Sequence, residues 1–234
     1  NFSCGPDSFI LKYFKEELRG KPFLHIEIDE HSADAGAVTR CEAYLDSIGN
    51  RTDAATGAAP RKTRPAAADL RGRTIYIPPM SDHAHAVAAA LERCGVEAQV
   101  LPASDRASVE LGMKYVSGKE CYPCVVTTGD MLKKACEKDF DPARAAFFMP
   151  SGSGPCRFGQ YNVFHKMVLE KAGFTNVPVF APNQDERFTE ALEMVGGDFA
   201  LHAWKGIVAV EMLTKCLHES RPYEQKAGAA DALY

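Results

Sequence analysis

The chain has 234 residues, 46% of them hydrophobic and 25% charged, enough for one large or two small domains with a buried core and unlike a disordered or fibrous chain. A formal net charge of -4 gives no electrostatic footprint for a nucleic-acid partner. No apolar run reaches the roughly 18 to 20 residues of a membrane span, and the opening Asn1-Phe2-Ser3-Cys4 lacks the charged and apolar regions of a signal peptide, so a cytoplasmic protein is expected.

From 8 to 19 the apolar residues Phe9, Ile10, Tyr13, Phe14 and Leu18 recur at helical spacing, 21–29 reads as a short strand, and 35–48 reads as a second helix. Residues 1–49 are thus expected as a helix-strand-helix segment, the end of an upstream module, and the start without Met inside Cys4-Gly5-Pro6 fits a piece of a longer polypeptide. Residues 50–70 are Ala-rich, with Arg, Thr, Pro and Gly but no apolar periodicity, and read as a linker. Strands are expected at 74–78, 96–101, 145–149 and 177–181. Helices are expected at 82–94, 120–138, 160–172, 187–195 and 199–218, after a helix-like stretch at 111–117. In the last helix Trp204, Ile207, Val208, Met212 and Leu213 are expected on a side able to cover a sheet. This alternation predicts an α/β fold over 71–234, a parallel-sheet Rossmann-like three-layer module with crossover helices.

Eight cysteines without a secretion signal argue against disulfides. Cys41, Cys94, Cys136 and Cys216 fall in helix-like sequence and are expected to be small buried hydrophobes. The other four stand in loops rich in Gly or Pro: Cys4-Gly5-Pro6-Asp7, Gly118-Lys119-Glu120-Cys121-Tyr122-Pro123-Cys124, and Ser151-Gly152-Ser153-Gly154-Pro155-Cys156-Arg157-Phe158-Gly159-Gln160. In a parallel α/β sheet such loops lie where strands end and helices begin, the usual place for ligands. Helix N-termini also favour the thiolate that metal ligation needs. The Cys121-x-x-Cys124 pair fits a metal chelate or a dithiol redox pair. Structural zinc prefers four nearby ligands, often in two close pairs, whereas an iron-sulfur cluster accepts thiolates from separated loops.

Three runs carry a family resemblance: Ser3 to Phe9; Ser117 to Cys124 with Thr127-Thr128-Gly129-Asp130; and Phe148 to Tyr161. Together with Pro182-Asn183-Gln184, Ala203-Trp204-Lys205-Gly206-Ile207 and Arg221-Pro222-Tyr223-Glu224, they resemble the C-terminal region of CoA-substrate-specific enzyme activases. That region is similar to subunits of the 2-hydroxyacyl-CoA dehydratase (2-hydroxyglutaryl-CoA dehydratase) superfamily, and the resemblance covers nearly the whole chain outside the linker. It implies an oxygen-sensitive iron-sulfur cluster, of the 4Fe-4S type, held by Cys121 and Cys156, then by Cys4 or Cys124. Cys124 ranks last because superfamily members often keep only the first cysteine of that pair. It also implies an ATP-dependent activator as electron donor, with an acyl-CoA substrate for radical elimination of water, a lyase reaction. The chain itself has no Walker-type loop and no paired acidic and glycine-rich phosphate motifs, so ATP hydrolysis is not expected of it.

Further candidates follow from the same loops. Ser151, Gly152, Ser153 and Gly154 form a candidate anion nest for a cluster sulfide or a CoA phosphate. Arg157 and Gln160 are candidate hydrogen-bond donors to a cluster or a thioester carbonyl, and Glu120 is a candidate oxygen ligand or proton donor. His31, His83, His85 and His165 are expected as ordinary polar side chains, and Lys205 as a snorkelling lysine. Two other readings stay open: a structural or interaction module holding zinc or no metal, and a dithiol oxidoreductase using Cys121 and Cys124. An oligomer is compatible with all three.

Overall fold

A computed structural model describes residues 7–18, 21–26, 28, 32–49, 70, 72–182, 195–196 and 198–234. The expected linker at 50–70 lies outside them except for Leu70, and the expected helix at 187–195 except for Val195. The architecture is α/β: four strands, β1 (Thr74–Ile77), β2 (Ala98–Val100), β3 (Ala145–Phe148) and β4 (Val179–Phe180), form one sheet of order β2-β1-β3-β4. All its pairs are parallel, with Ile75 beside Ala98 and Ala146, and Phe148 beside Phe180. Every residue of β3 is buried, as expected of a central parallel strand covered on both faces.

The strand period of two sorts side chains between two helical layers. Ile75, Ile77, Ala146 and Phe148 enter a core shared with α3 (His83–Arg93) and with Phe199 at the start of α7 (Phe199–Ser220). Phe147 enters the opposite core, with Tyr76 against it, shared with α1 (Asp7–Glu17), α5 (Tyr122–Ala135) and α6 (Tyr161–Lys171). Among the described residues, no helix is long and apolar enough to cross a membrane.

Four local expectations are corrected. Of the strand expected at 21–29, the described residues 21–26 and 28 form none, because a strand exists only through a neighbouring ladder and, among the described residues, no pairing includes them. The helix expected at 111–117 is α4 (Arg106–Met113), which starts earlier because Asp105 caps it. The Asp105 side chain accepts from the Ser108 N–H at 2.9 Å and takes Lys133 Nζ at 2.6 Å. Lys133, and after it the Ser108 backbone, holds the Asp105 carboxyl down at about 2.

The third correction concerns α7. It meets α3 through small residues: a Cβ on Gly206 would stand 2.8 Å from Ala86 Cβ, and Ala203 packs against the core. Of the five residues expected to cover the sheet, Ile207 is half-buried, whereas Trp204, Val208, Met212 and Leu213 face solvent, Trp204 at 66% exposure. Close approach requires small side chains, and on this helix those lie opposite the large ones. Nor are the helical cysteines uniformly buried: Cys41, Cys136 and Cys216 are exposed, and Cys94 is half-buried at the end of α3. Helical sequence does not say which face meets a neighbour. The second helix, α2 (Asp34–Gly49), likewise buries none of its residues.

Candidate metal-binding site at two helix N-termini

α5 and α6 lie on one face of the sheet and run back from its carboxyl edge, so that both helix N-termini gather there. Cys121 is the N-cap of α5, with extended backbone at φ -73° and ψ 152° and no side-chain cap hydrogen bond. Its carbonyl accepts from the N–H of Cys124 at 2.9 Å, and Pro123 occupies an opening position where the missing N–H costs no helical bond. Cys156 caps the 3-10 turn Arg157–Gln160 that leads into α6, again without a side-chain cap bond. Cys121 is half-buried and Cys156 exposed. Both thiols therefore sit in the positive end field of a helical segment.

Tyr161, the first residue of α6, joins the two loops. Its hydroxyl meets Cys121 Sγ. Burial first, then the hydrogen bond to Cys121, and then the sulfurs of Cys121, Cys124 and Cys156 push ionisation of this phenol up. Of the four cysteines singled out from the sequence, Cys121 is the one that the Tyr161 hydroxyl is shown to touch. Cys4 lies outside the described residues. Among the described residues, no group of three or more His, Cys, Asp or Glu is positioned to hold a metal ion.

Cys124 differs from the other two. It is fully buried in the core, and its thiol is pushed up by that burial and then by the neighbouring Cys121 sulfur. Ligation by Cys124 would need its thiolate to form out of contact with water, whereas Cys121 and Cys156 reach solvent.

The remaining candidates serve the loops. Glu120 accepts from Ser117 N–H at 2.8 Å, Ser117 Oγ at 3.0 Å, Lys119 N–H at 3.2 Å and Lys12 Nζ at 3.2 Å, and its side chain is only 2% exposed. Burial alone would raise this carboxyl, but the Ser117 bonds and Lys12 outweigh it and hold it below its ordinary value. A depressed carboxylate stabilises the fold at pH values above its ordinary 4.5, and that contribution is lost as the pH falls below it. Lys12 also reaches Tyr115 O at 3.0 Å and stands 4.3 Å over the Phe164 ring. Tyr13 donates to Gln160 O at 3.0 Å. Through these contacts and the buried Phe9, α1 clamps both cysteine loops.

Arg157 donates from Nη1 to Lys119 O, which ties the Cys156 loop to the Cys121 loop. Arg157→Leu should therefore quicken amide hydrogen exchange across 117–121 several-fold, a local loss of about 1 kcal/mol. Global unfolding should shift by less than about 0.5 kcal/mol. Unchanged exchange would remove this strut from the account. In the 151–154 loop, Ser151 N–H donates to Pro182 O at 3.0 Å, and a Cβ on Gly159 would stand 2.1 Å from Gly152 O. Neither Gly152 nor Gly154 has the positive φ that an αR-αL nest uses, whereas Gly118 does, at +88°.

Beneath the thiols lies His165, which sequence reading treated as an ordinary polar residue. It is 1% exposed. Thr127 Oγ1 lies 2.8 Å from Pro123 O and 3.2 Å from His165 Nε2; having given its proton to the carbonyl, it accepts from Nε2–H. Nδ1 is then the unprotonated nitrogen, and it has no protein partner. Burial pushes the imidazole down to about 3, against a smaller pull from the Cys124 backbone. Because the unfolded chain takes up this proton near 6.5 and the folded chain does not, stability is full above 6.5 and lost towards 3. Urea unfolding should show this residue contributing up to about 1.4 kcal/mol per pH unit in that window. His165→Gln, which keeps a donor for Thr127, should flatten the slope; an identical slope would refute the assignment.

The chain matches no family model, no curated protein and no solved structure. Its function is accordingly argued from the site and from the resemblance of its motifs. Of the predicted ligands, Cys121 and Cys156 stand on loops joined by the Arg157–Lys119 hydrogen bond, Cys124 is buried, and Tyr161 was missed. The only signal for Tyr161 was its position at the end of the Phe148-to-Tyr161 run.

Proposed function

We propose that this chain is an iron-sulfur module that accepts low-potential electrons from an ATP-dependent activator and serves 2-hydroxyacyl-CoA chemistry of the dehydratase type. The observation that carries the reading is that Cys121 and Cys156 each cap a helical start and that their loops are tied together, by Arg157 donating to Lys119 O and by the Tyr161 hydroxyl meeting Cys121 Sγ. Thiolates from separate loops are the donor set that iron-sulfur clusters use, and oriented helical N–H groups offset their negative charge.

In this reading Cys121 and Cys156 are ligands, and the third protein ligand is Cys4 or Cys124. Cys4 precedes the buried Phe9 by five residues, a tether of at most about 18 Å. When bound, the cluster would supply one-electron transfer. The chain's own residues anchor the thiol-bearing loops: Glu120 and Lys12 fix the first, and Arg157 joins it to the second. The exposed side of Cys156 offers a partner the approach that electron transfer requires. An acyl-CoA substrate and the activator rest on the motif resemblance.

Anaerobic reconstitution with iron and sulfide tests this directly. A brown protein is expected, with broad thiolate-to-iron absorption that bleaches in air. Mixing with reduced activator and ATP should change its electron paramagnetic resonance signal, while ATP alone should show no saturable binding. A colourless protein with stoichiometric zinc and no iron would sink the proposal.

One observation favours a second reading. The pairing of a half-exposed Cys121 at a helix N-terminus with a buried, proton-retaining Cys124 suits an attacking and a resolving thiol. In that reaction the Cys121 thiolate attacks a disulfide substrate and releases its first thiol, and Cys124 then attacks the Cys121 sulfur of the mixed disulfide and releases the second; the substrate gains two electrons and two protons and the chain is left with a Cys121–Cys124 disulfide. Rapid reduction of a disulfide substrate by iron-free protein, abolished in Cys124→Ser, would select it.

A further inference from the structure

We infer that the Tyr161 hydroxyl is a dedicated hydrogen-bond donor to the Cys121 sulfur, making Tyr161 a positioning residue that sets the electron affinity of the group Cys121 ligates. The second half of this statement rests on the iron-sulfur reading; the first does not.

The geometry leaves the phenol little choice. Tyr161 is 3% exposed, and its ring is walled by Phe9 at 6.0 Å, Phe158 at 5.3 Å and His165 at 6.0 Å between centroids. Three rings fix the plane, and the one polar atom at the ring's end meets Cys121 Sγ. Cys121 makes no side-chain bond to the N–H groups of its own helix, so its sulfur is served from the α6 side. The nearby carboxylate, Glu120, already accepts from Ser117, Lys119 and Lys12.

Direction follows from chemistry. A thiol is a weak donor and a phenol a good one. Once Cys121 is a thiolate, it has no proton to give and Tyr161 is the donor of the pair. A hydrogen bond to a ligand sulfur stabilises added negative charge, which raises the reduction potential of the ligated group. Loss of one such bond weakens electron affinity by roughly tenfold, which is about 59 mV for one electron.

Tyr161→Phe removes the hydroxyl and keeps the ring that the core needs. In metal-free reduced protein, the infrared S–H stretching band of Cys121, assigned by its loss in Cys121→Ser, should move in Tyr161→Phe. From the other side, the ring-carbon resonance next to the hydroxyl of Tyr161 in 13C-tyrosine-labelled protein should move in Cys121→Ala, which keeps the test decisive if Tyr161→Phe folds poorly. After reconstitution, Tyr161→Phe should hold the same iron at a potential lower by about 59 mV, the tenfold change converted for one electron. Moved bands without any iron uptake would uphold the hydrogen bond and refute the iron-sulfur reading. Unmoved bands, or equal iron at an equal potential, would overturn the inference and leave that reading standing.

Discussion

Cys121→Ser and Cys156→Ser should each lose most of the iron that wild-type protein retains after anaerobic reconstitution and gel filtration, whereas Cys94→Ser and Cys216→Ser should retain it. The contrast comes from position. Cys121 and Cys156 each cap a helical segment, and their loops are tied together by the Arg157–Lys119 hydrogen bond. Cys94 ends α3 against the opposite core, and Cys216 is exposed on α7. A hydroxyl is a hard, poorly ionised substitute for thiolate. The loss should reach roughly tenfold or more, since even outer-shell partners of a metal site are worth that much. Changes at Cys4 and Cys124 name the third ligand: the variant that loses iron identifies it. Equal iron in all variants would reject Cys121 and Cys156 as ligands.

Gly129→Ala should destabilise the protein by about 2 kcal/mol or more, measured as a lower urea midpoint at unchanged slope. Helix propensity alone argues the other way, because alanine is favoured over glycine inside a helix by about 1 kcal/mol. Packing decides the sign. A Cβ on Gly129 would stand 1.6 Å from the Ser108 carbonyl oxygen of α4, and one on Gly112 would stand 2.0 Å from the Val125 carbonyl oxygen of α5. Each helix thus presents a glycine to the other's backbone, so neither clash can be relieved by rotating a side chain. Overpacking of this kind costs about 1 to 3 kcal/mol, occasionally more. Separation of α4 from α5 would also shift the α5 N-terminus, so iron retention should fall with stability. A neutral or stabilising Gly129→Ala would show that the two backbones are not in contact.

Parts of this molecule were legible in the sequence because they depend on local order. The apolar runs at 74–78 and 145–149, between helical periods, fixed two strands, and their alternation fixed a parallel sheet with crossover helices. The Gly- and Pro-flanked cysteines marked loops at helix starts, and Cys121 and Cys156 lie at such starts. Glu120 and Arg157 were legible as residues beside the cysteines. That Glu120 pairs with Lys12 and that Arg157 donates to Lys119 O was not, because each partner is far away in sequence.

Sequence by itself determined the fold class and the loops that carry the thiols, since strand and helix periods and turn residues act over a few positions. Tertiary structure alone decided four things: the absence of a strand at 21–26, the exposure of Trp204 and Met212, the burial of His165 and the meeting of Tyr161 with Cys121. Each depends on what another segment places alongside: a ladder for the strand, small residues for close helix approach, and a second helix N-terminus for the tyrosine. A linear pattern states what a segment can bury or bond; the segment packed against it selects which of those contacts form.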